Sequence, residues 1–222
     1  MKLLSSLLLI ICCVHPAIAG ITLSATRVIY DELAKEATIT ISTSGENRPY
    51  LVQSWLESIN NNELSPPFII TPPLFKLMPD TTWQIRITKI RDNLPNDRES
   101  LFWLNVKAIP ASDSSERNRM LIATKSVMKL IWRPVSLNAT AAADAVKQVS
   151  AKGDGKAITL RNPTPYFINI GMMRVNGQSV DAPGFIAPFA TRAIRHPQQQ
   201  GRLELQAIND YGGLTPSVTL NF

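Results

Sequence analysis

The feature that most constrains this chain is a repeated alternation of short β-type runs and turn clusters. From Ile21 onward, TRVIYD, ATITIST, YLVQSWLES, TWQIRITKI, SLFWLNVKAI and LIATKSVMKLIW combine period-two alternation with β-branched, aromatic and large aliphatic residues. SGENRP, NNNELSPP, PD, NLPNDR and PASDSSERN separate them, each rich in residues that favour turns. Short strands at this spacing predict an antiparallel sandwich over residues 20–136. The 16 prolines point the same way, because proline suits strand edges and turns and breaks helices.

The pattern lapses at SLNATAAADAVKQVSAKGDG, residues 136–155, which is small, polar and without strand alternation. This stretch reads as a linker whose AAADAV segment can form a helical turn. Asn138-Ala139-Thr140 within it is a glycosylation sequon by pattern. Strands then resume in KAITLRN, YFINIGMMRVN, RAIRH, RLELQAIND and SVTLNF. The prediction is an all-β chain of two β-sandwich domains, one over residues 20–136 and a smaller one over 137–222.

Ahead of the first strand lies MKLLSSLLLIICCVHPAIAG. Lys2, the apolar run Leu3 to Val14 and the small-x-small site Ala17-Ile18-Ala19 read as a secretory signal peptide over residues 1–19. The run is shorter than the roughly 20 apolar residues a membrane span needs, so no membrane insertion of the mature chain is expected. Cys12 and Cys13 leave with the signal, and so does His15, so His196 is the one histidine left. That is a poor basis for a zinc site or a catalytic triad. Asp31 and Glu32 are neighbours on a strand and point to opposite faces, which makes them a weak acid/base pair. No phosphate-binding glycine loop or nucleophile elbow occurs. The formal charge of +6 is spread without Lys/Arg runs, which argues against nucleic acid. These features predict neither an enzyme nor a cofactor. Trp55, Trp83, Trp103 and Trp132 fall in strand patterns and are expected in the core.

MLIATKSVMKLIW, residues 120–132, reads as one strand of 13 residues. It would span about 43 Å, against about 5–6 residues for a common strand. A strand that long and exposed invites pairing with another chain.

Residues 94–111, LPNDRESLFWLNVKAIPA, resemble the signature of the periplasmic pilus-assembly chaperones of the chaperone–usher pathway. The likeness runs through Leu94, Pro95, Asp97, Arg98, Glu99, Ser100, Phe102 to Asn105, Ile109 and Pro110. TRVIYD, PYLVQSW, TPPLFKLMP, KLIWRP, NPTPYF and INDYGG follow the family's order, so the resemblance covers essentially the whole mature chain. It implies two immunoglobulin-like domains in an L or boomerang arrangement. The segment PASDSSERNR, before Met120, is similar to the short-loop branch of the family.

The resemblance also implies the site. The exposed strand would be donated to a pilin subunit, an incomplete sandwich, by β-augmentation, with Met120, Ile122 and Thr124 as plugging side chains. Thr124 is smaller and more polar than the aliphatic residue the family places there. Arg27 and Lys129 match the basic pair that anchors the subunit's C-terminal carboxylate. Glu99, Arg133 and Asp210 match an interdomain ion-pair network. Leu51, Gln53, Thr71, Pro72, Pro73 and Ile109 match a surface that contacts the outer-membrane usher. The free protein would self-associate through the same strand. Two rival classes fit less well. A pilus subunit is a single incomplete sandwich with a donor extension at its start, and a sugar-binding module needs an exposed aromatic platform.

Overall fold

The computed structural model describes residues 20–45, 48–59, 65–112 and 120–222. The signal segment 1–19 and most of the loop before Met120 lie outside the described residues. Nine strands form the first half: β1 (Ile21–Leu23), β2 (Arg27–Asp31), β3 (Ala37–Thr43), β4 (Tyr50–Ser58), β5 (Phe68–Thr71), β6 (Leu74–Leu77), β7 (Thr82–Lys89), β8 (Ser100–Pro110) and β9 (Thr124–Arg133). They make a four-stranded sheet, β1-β3-β7-β5, facing a five-stranded sheet, β2-β9-β8-β4-β6. Period-two alternation explains the packing. Ile39 and Ile41 of β3, Ile85 and Ile87 of β7, and Leu104, Leu130 and Trp132 of the other sheet fill one core. Tyr30, Phe68 and Phe102 meet there with ring centroids 5.4 and 5.3 Å apart.

Two expectations need correction. The long strand begins at Thr124, not Met120. Its ladder with β8 ends at the pair Ala108↔Thr124, two residues before the end of β8 at Pro110, so Met120 to Ala123 lie beyond the paired residues. Of the four tryptophans only Trp132 is buried. Trp83 is 47% exposed and stacks on Phe75 at 5.6 Å. Trp55 and Trp103 pair with Asn105 and Glu57, in the rows that point away from the core.

The second half has its own core. A short helix, α1 (Ala139–Asp144), runs into a 3-10 turn (Ala145–Gln148). Eight strands follow: β10 (Ser150–Gly153), β11 (Ala157–Arg161), β12 (Ile168–Val175), β13 (Gln178–Ser179), β14 (Phe185–Ile186), β15 (Thr191–Arg195), β16 (Arg202–Ala207) and β17 (Val218–Asn221). Sheet β10-β11-β15 packs on β13-β12-β16-β17, with β14 on the edge of β12. The stretch read as a linker belongs to this core. Ala145, Val146 and Val149 are buried beside Ile158, Leu160 and Leu205. Their spacing follows a helical turn, which strand periodicity cannot register. Asn138 caps the helix, its Oδ1 accepting from the Ala141 N–H at 2.8 Å.

Candidate functional site

Among the described strands, only β2 and β9 pair in parallel, and this ladder fixes the site. It sets Arg27 opposite Lys129, Ile29 opposite Ile131 and Asp31 opposite Arg133. The even-numbered residues Met128, Leu130 and Trp132 enter the first core. Odd-numbered residues therefore share the outer face, which meets the second domain. Ile131 and Leu101 are buried there against Phe167, and Ile29, Trp103 and Phe185 pack around them. This apolar seam separates two charged groups.

On one side stands Arg133. Its Nε donates to Glu99 Oε1 at 2.8 Å, and its Nη1 and Nη2 donate to Asp210 Oδ2 and Oδ1 at 2.7 and 3.0 Å. Glu99 Oε2 accepts from the Phe167 N–H at 2.8 Å, and the Glu99 N–H donates to Pro165 O at 2.9 Å. Arg133 and Glu99 are each 3% exposed. The planar fork of arginine suits two carboxylates at once. Burial opposes the charge on Arg133, but Asp210 and Glu99 hold the guanidinium above its ordinary value. Burial pushes the Glu99 carboxyl up, against the pull of Arg133 and the Phe167 N–H. Asp210 arrives on the loop 209–213, where Gly212 has φ +88°. A Cβ on Gly212 would meet Thr26 Oγ1 at 2.7 Å, so this glycine lets the second domain close onto the residue before Arg27.

On the other side lie Arg27 and Lys129. Arg27 is 8% exposed; its Nη1 donates to Ile208 O at 3.4 Å, and its Nε is buried without a partner. Lys129 Nζ donates to Asn169 Oδ1 at 2.6 Å and sits 5.3 Å from the centre of the Phe185 ring. Among the described residues neither cation is in an ion pair. Burial lowers Arg27 below its ordinary value, partly offset by Asp210. Burial, and then Arg27, bring Lys129 down to about 8. Two adjacent cations, partly withdrawn from water and lacking an anion, make a receptor for a carboxylate or another small anion.

The depressed Lys129 value carries a stability signature. Below pH 8 the lysine is charged in folded and unfolded chains alike, and the folded state bears the whole cost. Between about 8 and its ordinary 10.5 the folded chain loses its proton first. Stability from this group therefore rises across that window. The expected result is that Lys129→Met is more stable than the parent at pH 7, and that the gap narrows from pH 8 to 10. Denaturant midpoints measured at each pH check it.

The segment ahead of β9 is open. Met120 and Ile122 are 82% and 72% exposed, and Thr124 is exposed at the strand's first position. These three share the parity of Met128, Leu130 and Trp132, so they extend the core-facing row beyond the sandwich. Because β2 pairs only with Lys129–Arg133, the residues from Thr124 to Met128 have one unpaired edge among the described strands. Lys125 turns the other way, its Nζ 5.0 Å from the Trp55 ring centre.

Leu51, Gln53 and Ile109 fall on the outer face of the five-stranded sheet, Leu51 directly opposite Ile109. Thr71, Pro72 and Pro73 join β5 to β6, and Pro73 O accepts from the Ser54 N–H at 2.8 Å, which ties them to β4. The β4–β8 pairing and this bond connect the six residues within the first domain. Asn169, Phe185 and Ile208 were not anticipated from the sequence. Asn169 lies three residues beyond NPTPY on a buried strand, where nothing local distinguishes it from a core polar residue. Among the described residues, no group of His, Cys, Asp and Glu is placed to hold a metal ion, and no helix is long and apolar enough to cross a membrane.

The comparisons with known proteins converge. Residues 20–138 match the model of the pili and flagellar-assembly chaperone PapD N-terminal domain, and residues 144–219 match the pili assembly chaperone PapD C-terminal domain. The chain is 37% identical over 205 residues to chaperone protein FimC of Escherichia coli, covering 90% of this chain and 84% of that protein. It is 35% identical over 198 residues to chaperone protein LpfB of Salmonella typhimurium, covering 87% and 85%. Its structure is similar to the Salmonella enterica SafA pilin in complex with the SafB chaperone, with a TM-score of 0.81, 29% identity, and coverage of 94% and 98%. It is also similar to the periplasmic chaperone SfaE, with a TM-score of 0.75, 32% identity, and coverage of 90% and 99%.

Proposed function

The chain belongs to the family of pili-assembly chaperones, and from that premise we propose that it captures pilin subunits in the periplasm by lending them the edge of β9. The observation that carries this reading is the pair Arg27, buried, and Lys129, half-buried, side by side and in no ion pair among the described residues, at the foot of an unpaired strand edge. The subunit's last strand runs along that edge. Its backbone completes the ladder, and its terminal carboxylate stops between the two bases. The stop sets the register, so that Met120, Ile122 and Thr124 meet the gaps in the subunit core. Main-chain bonds serve any client, while pockets for alternate side chains select among them. No cofactor or nucleotide is needed, because the client later exchanges the lent strand for a better one. Leu51, Gln53, Thr71 to Pro73 and Ile109 form the surface offered to the usher. In the absence of client the same edge pairs with a second copy. The signal ends at Ala19, and the domains divide after Ser136.

The test is co-purification. Tagged Met120→Asp/Ile122→Asp protein is expected to recover no pilin from periplasmic extract of cells expressing the pilus operon, while the parent does. Its melting temperature should be unchanged, because both side chains are exposed. Normal recovery by the variant would remove the donor strand from the mechanism. Capture should also weaken as pH rises above about 8, where Lys129 sheds its charge in the free protein.

A further inference from the structure

Both cations of the anchor belong to the first domain and are paired by its ladder, yet the described partners of their side-chain nitrogens belong to the second. Asn169 Oδ1 accepts from Lys129 Nζ at 2.6 Å, Phe185 underlies the same ammonium, and Ile208 O accepts from Arg27. These three are one structural unit. Asn169 of β12 is in register with Phe185 of β14, and its carbonyl accepts from the Ile208 N–H at 2.7 Å. Asn169 is only 4% exposed, so its position is set by the sheet. A lysine has a flexible four-carbon stem and does not find one position by itself. The amide is also the right acceptor electrically. It orients the ammonium without neutralising it, whereas a carboxylate in its place would satisfy Lys129 internally.

Resting on the anchor reading above, we propose that Asn169 is a positioning residue of the anchor: it fixes the Lys129 ammonium for an incoming carboxylate and makes the site a property of the closed interdomain cleft. The charged groups around Lys129 are Arg27 on β2 and, behind it, Asp210 on the 209–213 loop.

The test uses the exported protein and a ten-residue peptide of alternating valine and threonine, made with a free C-terminal carboxylate and as the carboxamide. The parent is expected to prefer the carboxylate. Asn169→Leu should weaken the carboxylate peptide roughly tenfold or more, the scale of one hydrogen bond to a charged group, and leave the carboxamide unchanged. Asn169→Asp, nearly identical in shape, should abolish the preference and move the Lys129 titration above its parent value, read by NMR at the lysine Cε. A merely structural asparagine would weaken both peptides alike. If the parent prefers the carboxylate and Asn169→Asp keeps that preference, the inference is wrong and the anchor survives. If the parent shows no preference, the anchor reading falls and the role of Asn169 falls with it.

Discussion

Replacing both Arg27 and Lys129 with alanine is expected to abolish pilin capture without unfolding the protein. Each base contributes charge-assisted hydrogen bonds of about 1.5–3 kcal/mol. Losing both should weaken binding by about a thousandfold, since every 1.4 kcal/mol is tenfold. The folded chain loses little by the change. Lys129 is held at about 8 by burial and by Arg27, so its charge costs the free protein about 1–2 kcal/mol once solvent screening is allowed for. Function and stability thus pull in opposite directions at this pair, as they do where a site is kept incomplete for its ligand. Co-purification of pilin with parent and double variant, beside their melting curves, reads both effects. Pilin retained by the double variant would place the affinity in the strand alone and end the anchor reading.

The sequence made the sandwiches legible because their strands alternate. β4 spans YLVQSWLES as read, and β7, β8 and β16 fall within one or a few residues of their predicted runs. What alternation cannot supply is which face is which. Trp55 and Trp103 obey the β pattern as well as Trp132 does, yet they sit on the outer face, because the register of β4 with β8 decides it. The apparent linker failed for a related reason. Its apolar residues Ala145, Val146 and Val149 repeat at helical spacing inside an otherwise period-two chain. The donor segment failed differently: a strand exists only where a neighbour pairs with it, and the ladder with β8 stops at Ala108↔Thr124.

The site was legible only by likeness. Residues 102 positions apart in the chain, Arg27 and Lys129, become direct neighbours through a parallel ladder, and no local pattern announces such a pairing. The same holds for Glu99, Arg133 and Asp210, which come from β8's approach, β9 and a loop of the other domain. Asn169 escaped even the likeness, since its importance lies in one 2.6 Å bond to a side chain across the cleft.

Arg133→Ala should be the most destabilising single change considered. It strands Glu99, 3% exposed, with only the Phe167 N–H for a partner, and frees Asp210 from its fork. Breaking one member out of a buried ion pair costs about 3–5 kcal/mol. Such a loss does not mean the network exists for stability, because buried ion pairs are often replaceable by packed apolar groups at no net cost. The combination Glu99→Gln/Arg133→Met/Asp210→Asn separates the two ideas. It removes every charge together, so it should recover much of the stability that Arg133→Ala forfeits, as a denaturant titration would report. It should not recover capture of pilin. Asp210 and Glu99 fix the second domain through the 209–213 loop and the Phe167 backbone, and that domain carries Asn169 and Ile208 to the anchor. With the fork gone, Arg27 and Lys129 remain in the ladder but lose their alignment. A triple variant that regains stability and still captures pilin at the parent's level would show that the network has no part in orienting the cleft.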